Sequence, residues 1–569
     1  MRKILSSLLL LGCVLPALTG AAQRYYEEVF TGDQIMVDSD VPFAVNIDFL
    51  LSNLDGEDPQ TSIDLGTLSA IADGGGEYPS VYFNPFDDST NVKLTSIGMD
   101  VYYPDPEQDE VEARPVMVYV HTGNFLPPPL NGAATGQKTD SAAVNLCMQW
   151  AKRGYVAVSM DYRLGWNPLA ESVQERRGTL LNAVYRAIQD VKMGVRYLRA
   201  DAGDMNMWAI DESRMVIYGQ GSGGYVATSY GTLDNPAEEL FLDKFIPNPF
   251  EPDVSYVDTL LVGTVDGFGF PNSLNLYRDN GVSADVHMSI NAGGAMADES
   301  WLEAGDIPQV AIHTVRDDFA PFTFGTVIVG TTGEEVVDVH GSNTFIQKAN
   351  DLGNNDVFAD LPDGDTYTDA ARALYGTSWE GSNAQTITVN DTPEGLFPLI
   401  RPLYGFLQNE SAPWEWWDPE GPIPSTVIDP VSGATAHLAS LASNPDMSPE
   451  KGLAYLDSIN GYILPRVMCV LDLPENLCTS VGINEDYLSG SDQIDFTIFP
   501  NPTSGQARLR ASQNVERVEV RNAVGQLVSV DAAVNQRDVV LNLQGVQAGV
   551  YTVTLRAGEA SRTERLIVK

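Results

Sequence analysis

The segment that decides the fold is DESRMVIYGQGSGG, residues 211–224. Its apolar part, Arg214–Gly219, has the composition of a strand that is buried on both faces. Four of the six residues from Gly219 to Gly224 are glycine, and glycine reaches backbone conformations that other residues avoid. The segment therefore predicts a strand that turns sharply into a helix.

Strand-like and helix-like patterns alternate on either side of this segment. Such alternation predicts an α/β fold, in which a mainly parallel sheet is covered by helices on both faces. The predicted strands are Leu94–Tyr103, Pro115–His121, Gly154–Tyr162, Val286–Asn291 and Gln309–His313, and the predicted helices are Ser141–Arg153 and Leu180–Ala200.

The composition is that of a globular and strongly acidic chain. Of its 569 residues, 43% are hydrophobic and 19% are charged, and the formal net charge is −44. Because this charge repels nucleic acids, we expect no nucleic acid partner. Beyond the N-terminus, no apolar stretch approaches the roughly 20 residues of a transmembrane helix, so no transmembrane segment is expected.

The N-terminal end of the chain predicts export. Residues 1–22 combine the basic pair Arg2-Lys3, an apolar stretch and the small residues Gly20-Ala21-Ala22, which is the pattern of a Sec signal peptide. A lipoprotein site at Cys13 is the alternative. Residues 23–93 are rich in Asp and Gly, and we expect them to wrap the main domain as an irregular N-terminal extension.

The C-terminal end differs sharply in charge from the rest. Residues 496–569 contain 9 basic and 6 acidic residues, whereas residues 23–495 contain 22 and 71. This shift predicts a domain boundary, with a linker over residues 486–495. Short alternating runs predict a small antiparallel β-sandwich, and these runs are Val515–Arg521, Val539–Leu543, Val550–Arg556 and Arg565–Val568.

The motifs of this end resemble a known sorting domain. FPNPTSG (499–505), VGQ (524–526), LNL (541–543), AGVY (548–551) and LIVK (566–569) follow the order found in the C-terminal sorting domain of type IX secretion substrates from the Bacteroidota. The resemblance implies that residues 496–569 engage the type IX secretion machinery. It also implies an extracellular or outer cell-surface location.

The middle of the chain resembles carboxylesterase and lipase-like members of the α/β-hydrolase fold. VYVHTG (118–123) is similar to their oxyanion strand, MDYRLGW (160–166) to the following strand, and residues 211–224 to their nucleophile elbow. The resemblance runs from residue 94 to about residue 406, and we assign residues 94–485 to this domain with a C-terminal cap. It implies that the backbone amides of Thr122 and Gly123 form an oxyanion hole.

The same resemblance places the catalytic positions. In this family the nucleophile is the serine of G-x-S-x-G, and the frame of residues 219–223 puts Gly221 there. Ser222, one residue later, is the alternative nucleophile. The segment IHTVRDDFAP (312–321) places the acid at Asp317, with Asp318 as the near alternative. Ser222 and Asp317 are therefore the candidate catalytic residues.

The family's base histidine has no counterpart in the sequence. We expect the base in the loop after the helix that follows Gly341-Ser342, and the segments PDGD (362–365) and EGLFP (394–398) both lack histidine. His340 is near this region but precedes the helix. The five histidines of the chain are His121, His287, His313, His340 and His437.

These features predict an exported protein of carboxylesterase ancestry that binds a small ester, lipid or glycan rather than hydrolysing it. One alternative is an active secreted carboxylic-ester hydrolase that uses Ser222 with Asp317, and the other is a structural surface protein. No cofactor and no metal ion is expected, and the acidic run over residues 360–369 is interpreted as a solvated loop.

Three further features lie outside the hydrolase motifs. The segment PWEWWDP (413–419) is expected to pack over a sheet edge or a pocket mouth, with stacking on a sugar as the alternative. Cys469 and Cys478 form either a local disulfide or two separate thiols, and Cys147 is expected to be a buried apolar residue. Residues 434–442 and 449–456 have helical patterns.

Overall fold

The computed structural model describes most of the chain. The described residues are 23–317, 319–328, 333–359, 361, 364–381, 385–391, 394–401, 410–478, 496–499, 503, 505–522, 527–528, 530–532, 534–557 and 560–569. The signal peptide predicted over residues 1–22 and the linker predicted over residues 486–495 lie outside them. The chain forms two compact units, Met1–Thr479 and Ser480–Lys569.

The larger unit contains twelve strands in its described residues, and the smaller unit contains eight. In chain order they are β1 (Ile35–Ile47), β2 (Leu94–Pro104), β3 (Arg114–Val120), β4 (Val156–Met160), β5 (Ile210–Gln220), β6 (Ser289–Ala292), β7 (Gln309–Thr314), β8 (Phe324–Ile328), β9 (Glu335–His340), β10 (Ser378–Glu380), β11 (Thr386–Thr388), β12 (Leu396–Leu399), β13 (Phe496–Phe499), β14 (Gln506–Val515), β15 (Arg517–Asn522), β16 (Leu527–Val528), β17 (Asp531–Ala532), β18 (Gln536–Asn542), β19 (Gly549–Ala557) and β20 (Ala560–Val568).

All twelve α-helices of the described residues belong to the larger unit. They are α1 (Pro59–Gly74), α2 (Pro128–Asn131), α3 (Ser141–Lys152), α4 (Val173–Ala202), α5 (Ser222–Tyr230), α6 (Pro236–Glu239), α7 (Thr259–Val262), α8 (Ser342–Asp351), α9 (Thr366–Arg372), α10 (Pro422–Thr426), α11 (Ala436–Ser440) and α12 (Pro449–Val470). Among the described residues, none of these helices has both the length and the apolar character that a membrane span requires.

The larger unit is built on one eight-stranded sheet. The strand order is β1-β2-β4-β3-β5-β6-β7-β12, and every neighbouring pair from β4 to β12 is parallel. Alternate residues of β3 point to opposite faces, so Val118 packs with α4 in one core and Tyr119 packs with α3 and α12 in the other. The predicted α/β fold class, with helices on both faces of a mainly parallel sheet, is confirmed.

The prediction of an irregular N-terminal extension is wrong. Residues 35–47 form β1, which pairs along its length with β2 in antiparallel orientation, and residues 59–74 form α1. The pairing of β1 is interrupted by irregularities between Asp38 and Val41 and between Pro42 and Ala44. These interruptions break the period-2 pattern by which a strand is recognised in sequence.

The C-terminal part of the larger unit is more helical than predicted. The helical pattern of residues 449–456 is the start of α12, which extends to Val470, and Ile459, Ile463 and Val467 bury its inner face against α3. Cys469 and Cys478 form a disulfide, which confirms the first of the two alternatives. Cys147 is a buried free thiol, also as expected.

The smaller unit is the antiparallel β-sandwich that the sequence predicts. Its two four-stranded sheets have the orders β13-β14-β18-β17 and β16-β15-β19-β20. Apolar side chains from both sheets, including Leu509, Leu541, Val553 and Leu566, form one buried cluster.

A buried ion pair fixes α4 to the segment that follows β4. Asp190 is fully buried in α4, and Arg163 is 2% exposed. The backbone N–H and the Nε of Arg163 donate to Asp190 at 2.7 and 2.9 Å, and the hydroxyl of Tyr277 donates to the same carboxylate at 2.8 Å. Because the pair is desolvated, each charge depends on its partner.

We expect Asp190→Asn to lower the free energy of unfolding by about 3 kcal/mol, since it leaves the Arg163 charge buried without a counter-charge. Urea denaturation followed by tryptophan fluorescence measures the effect in the larger unit, where all eight Trp residues lie. The double variant Arg163→Met/Asp190→Leu removes both charges, and we expect it to lower the free energy of unfolding clearly less than Asp190→Asn does. An equal or larger loss of unfolding free energy in the double variant would contradict the explanation that an unpaired buried charge destabilises Asp190→Asn.

Candidate functional site

The turn between β5 and α5 has the geometry of a nucleophile elbow with no side chain at its apex. β5 ends at Gln220, α5 begins at Ser222, and Gly221 between them has φ 54° and ψ −116°. A positive φ of this kind is costly for a residue with a Cβ. Gly223 is required for a different reason, because a Cβ there would lie 2.1 Å from the carbonyl oxygen of Val120.

Thr122 occupies the space that a side chain at position 221 would need. A Cβ added to Gly221 would lie 2.2 Å from Thr122 Oγ1 and 3.0 Å from Thr122 Cβ. The hydroxyl could rotate away, but the β-carbon is fixed by the backbone of the loop. A glycine at the apex and a threonine in the facing loop are therefore complementary in shape.

The loop after β3 keeps a strained backbone conformation. Gly123, Asn124 and Phe125 have φ angles of 122°, 55° and 57°. The loop is held by hydrogen bonds from the indole N–H of Trp166 to Asn124 O at 2.6 Å and from Gly165 N–H to Phe125 O at 2.8 Å. Among the described residues, the N–H groups of Thr122 and Gly123 have no acceptor, so both predicted oxyanion-hole donors remain available.

Ser222 is tied into a local hydrogen-bond network. Its Oγ accepts from the Asn124 N–H at 3.1 Å and lies 3.3 Å from the hydroxyl oxygen of Tyr162. The Tyr162 hydroxyl itself donates to the His121 carbonyl at 3.0 Å, so the Ser222 hydroxyl donates to Tyr162. Burial raises the pKa of Tyr162, so this phenol stays neutral and cannot serve as a base for Ser222.

All five histidines are engaged away from the Ser222 hydroxyl. In the described residues none of their ring nitrogens forms a hydrogen bond to Ser222. The ring partners are the Thr122 carbonyl for His121, Met215 backbone atoms for His287, Ser342 Oγ and the Ala320 carbonyl for His313, the Glu299 N–H for His340, and the Trp417 indole N–H for His437.

Asp317 lies beside His313 rather than beside a base that reaches the elbow. One of its carboxylate oxygens accepts from the N–H groups of Phe319 and Ala320, at 2.8 and 3.0 Å, and the other lies 3.5 Å from His313 Nε2. Because His313 also contacts Ser342 and Ala320, its ring is fixed in the core. Asp318, the near alternative, lies outside the described residues.

The EGLFP segment, which was expected to belong to a loop, is mainly a strand. Leu396–Leu399 of the EGLFP segment is β12, the last strand of the large sheet, which pairs with β7. The segment with α9, β10 and β11 is inserted before this strand, so the loop after it begins at Ile400. The sequence of residues 400–417 contains no histidine. Residues 362 and 363 of the PDGD segment lie outside the described residues.

A large cavity lies above the elbow. Its volume is about 560 Å³, and its walls include the Thr122–Phe125 loop, Gly221 and Ser222. Apolar side chains of α4 and of the β8–β9 hairpin line the rest, including Leu180, Leu181, Val184, Ile188, Val327, Val336 and Val339. A cavity of this volume accommodates a drug-sized molecule. Among the described residues, no group of three or more His, Cys, Asp or Glu side chains is arranged to hold a metal ion.

Two parts of the chain match known family models. Residues 99–304 match the BD-FAE family model. The chain carries an esterase-like α/β-hydrolase domain. Residues 497–569 match the model described as a secretion system C-terminal sorting domain, so the hydrolase domain is exported by type IX secretion to the cell surface or the extracellular space. No curated protein matches the chain.

Several solved structures are similar to the hydrolase domain. Three of them are Thermogutta terrifontis esterase 2 phosphonylated by cyclosarin, with propionate bound, and in its apo form. Each is 16% identical and covers 40% of this chain, with 69%, 70% and 70% of the other chain covered and TM-scores of 0.25, 0.24 and 0.24.

Glu415, an acidic residue in the wall of the hydrolase cavity, was not predicted from the sequence. Glu415 accepts from Gln220 Nε2 at 2.6 Å and from Thr135 Oγ1 at 3.1 Å. Burial and the neighbouring Asp140 carboxylate raise the pKa of Glu415 to about 7, and burial raises the pKa of Asp140 to about 7. The signal in the sequence was the aromatic segment around Glu415.

The neighbouring aromatic residue was interpreted correctly. Trp414 is 1% exposed and lines the cavity, which agrees with packing at a pocket. Trp416 and Trp417 are also buried, so this segment does not offer an exposed surface for sugar stacking.

We expect Gly221→Ser to lower the free energy of unfolding by about 2–4 kcal/mol, through overlap with Thr122 and the positive φ. In the background of Thr122→Gly, the same substitution should cost at least about 1 kcal/mol less, because the overlap is removed. Urea denaturation of the four proteins in this cycle measures the coupling. Thr122→Val is the control, because it keeps both branches at the β-carbon. If Gly221→Ser were destabilising to the same reduced extent in the Thr122→Val background as in the Thr122→Gly background, a steric origin would be contradicted.

We also expect Glu415 to make stability depend on pH. Its pKa is raised above the value of about 4.3 in an unfolded chain, so the native state binds the extra proton and stability falls as pH rises from about 4.5 to about 7. Glu415→Gln cannot lose this proton. The melting temperature of the wild type minus that of Glu415→Gln should therefore decrease across this range. Glu420→Gln, at an exposed position of the same segment, should give a constant difference.

Proposed function

We propose that this secreted hydrolase-fold protein is non-catalytic and binds an apolar or amphipathic ligand in the cavity above the elbow. The observation that carries the proposal is the pairing of Gly221 with Thr122. It removes the reactive side chain from the elbow and fills its place, while a cavity of about 560 Å³ remains beside it.

The chemistry of ester hydrolysis requires groups that this site does not bring together. A serine attacks a carbonyl only when a base within hydrogen-bond reach takes its proton. The Ser222 hydroxyl donates to a neutral tyrosine, and the five histidines are engaged elsewhere. Asp317 has no histidine to orient toward Ser222, because its neighbour His313 is fixed by Ser342 and Ala320.

Binding requires only what the site retains. The cavity walls are mostly apolar side chains, and their burial by a ligand is favourable by about 25 cal/mol per Å² of apolar surface. The strained loop of Gly123, Asn124 and Phe125 keeps its shape through bonds to Trp166 and Gly165. A cavity that is shaped in advance costs a ligand less to occupy.

We expect the purified protein neither to be labelled by a fluorophosphonate nor to hydrolyse p-nitrophenyl butyrate above the buffer rate. Ser222→Ala should behave as the wild type in both assays. Labelling or turnover that disappears in Ser222→Ala would establish the alternative, an active carboxylic-ester hydrolase that uses Ser222.

We expect the neutral dye Nile red to bind with increased and blue-shifted fluorescence. Val184→Trp fills part of the cavity wall and should weaken binding at least about tenfold, because the space that the dye needs is occupied. Val254→Trp makes the same change at an exposed position that does not line the cavity and should leave the affinity unchanged. Absence of dye binding to the folded wild type would favour the other alternative, a structural surface protein.

A further inference from the structure

The charged side chains in the described part of the cavity wall are all acidic. Its charged side chains are Asp317, Glu415 and Asp429, and among the described residues no Lys, Arg or His lines it. The internal segments outside the described residues, between positions 318 and 409, contain none of these three residue types in their sequence either. The charges of the wall therefore attract cations, and its described residues include no basic side chain to pair with an anion.

Glu415 is the carboxylate best placed to meet a ligand. Asp317 is engaged by two backbone N–H groups, and Asp429 accepts from the Ser432 N–H in its own turn. Glu415 is held by two side chains, Gln220 and Thr135, at the end of the cavity next to the elbow. A side-chain hydroxyl and an amide can rearrange around a new partner more easily than backbone groups can.

Aromatic side chains provide the second feature of a site for organic cations. Three Trp residues line the cavity, namely Trp166, Trp301 and Trp414. Trp166 is fixed by its hydrogen bond to Asn124 O, and Trp301 is stacked on Phe245 with ring centroids 5.5 Å apart. The electron-rich faces of such rings attract organic cations, and the attraction is stronger where water is excluded.

From these observations we infer that the ligand is an amphipathic organic cation, with an ammonium group beside Glu415 and an apolar part over α4 and the β8–β9 hairpin. The inference rests on the proposed binding function and adds the ligand's charge to it. A carboxylate ligand of the same length would be buried next to like charges without a basic partner. The groups that could favour an anion are the backbone N–H donors of Thr122 and Gly123.

The test compares ligands that share one chain length and differ in the head group. Decyltrimethylammonium, decanol and decanoate compete with Nile red below their micelle concentrations. The buffer is at pH 8, above the pKa of about 7 of Glu415, and contains 0.15 M NaCl to screen the acidic surface. We expect the ammonium compound to compete most strongly, decanol less strongly, and decanoate at least about tenfold more weakly than the ammonium compound.

Variants assign the preference to the cavity wall. Glu415→Gln should weaken binding of the ammonium compound at least about fivefold and change the affinity for decanol much less, because the substitution removes the charge and keeps the shape of the side chain. Glu420→Gln removes an exposed carboxylate from the same segment and should change the affinity for neither the ammonium compound nor decanol. Circular dichroism and the melting temperature establish that each variant is folded.

The outcomes separate the two proposals. Equal affinities for the three head groups, or tightest binding of decanoate, would overturn the cation inference and leave the binding function standing. An ammonium preference that persists in Glu415→Gln would likewise overturn the assigned position of the head group. Failure of Nile red itself to bind would instead overturn the proposed binding function.

Discussion

The site depends on one steric constraint, the close approach of the Thr122 side chain to the backbone of Gly221. A β-carbon at position 221 and the side chain of Thr122 cannot occupy the same space, since a protein interior is packed as densely as an organic crystal. The absence of a side chain at Gly221 and the presence of one at Thr122 in the facing loop are therefore complementary. A side chain can be introduced at position 221 only at a steric cost while Thr122 is present.

The backbone around this contact holds several residues at positive φ angles. Gly221 and the residues from Gly123 to Phe125 remain at positive φ angles, and such strain persists only where surrounding contacts enforce it. Ser222 supplies one of these contacts through its hydrogen bond with the Asn124 N–H. Its hydroxyl thus supports the loop that shapes the cavity. The esterase-like domain thus combines a shaped loop and a cavity with an elbow that carries no side chain at Gly221.

The strands at the centre of the sheet could be predicted from sequence because each is a short apolar run whose burial needs no distant partner to be recognised. The strands at both edges of the sheet were harder to predict from the sequence. β1 is interrupted by irregular pairing with β2, and β12 is a four-residue strand that contains Pro398 and follows an insertion. Glu415 was overlooked because its raised pKa comes from burial and from Asp140, which lies 275 positions earlier in the chain.

The sequence by itself determined the fold class, the C-terminal sandwich and the sorting motifs of type IX secretion. These properties are local, since periodicity, motif order and residue identity can be read within short segments. Only the tertiary structure decided that Thr122 fills the space at the elbow, that the Ser222 hydroxyl lies 3.3 Å from that of Tyr162, and that the charged side chains in the described part of the cavity wall are all acidic. These properties depend on contacts between residues that are far apart in the chain, and only the packing of the helices and strands brings those residues together.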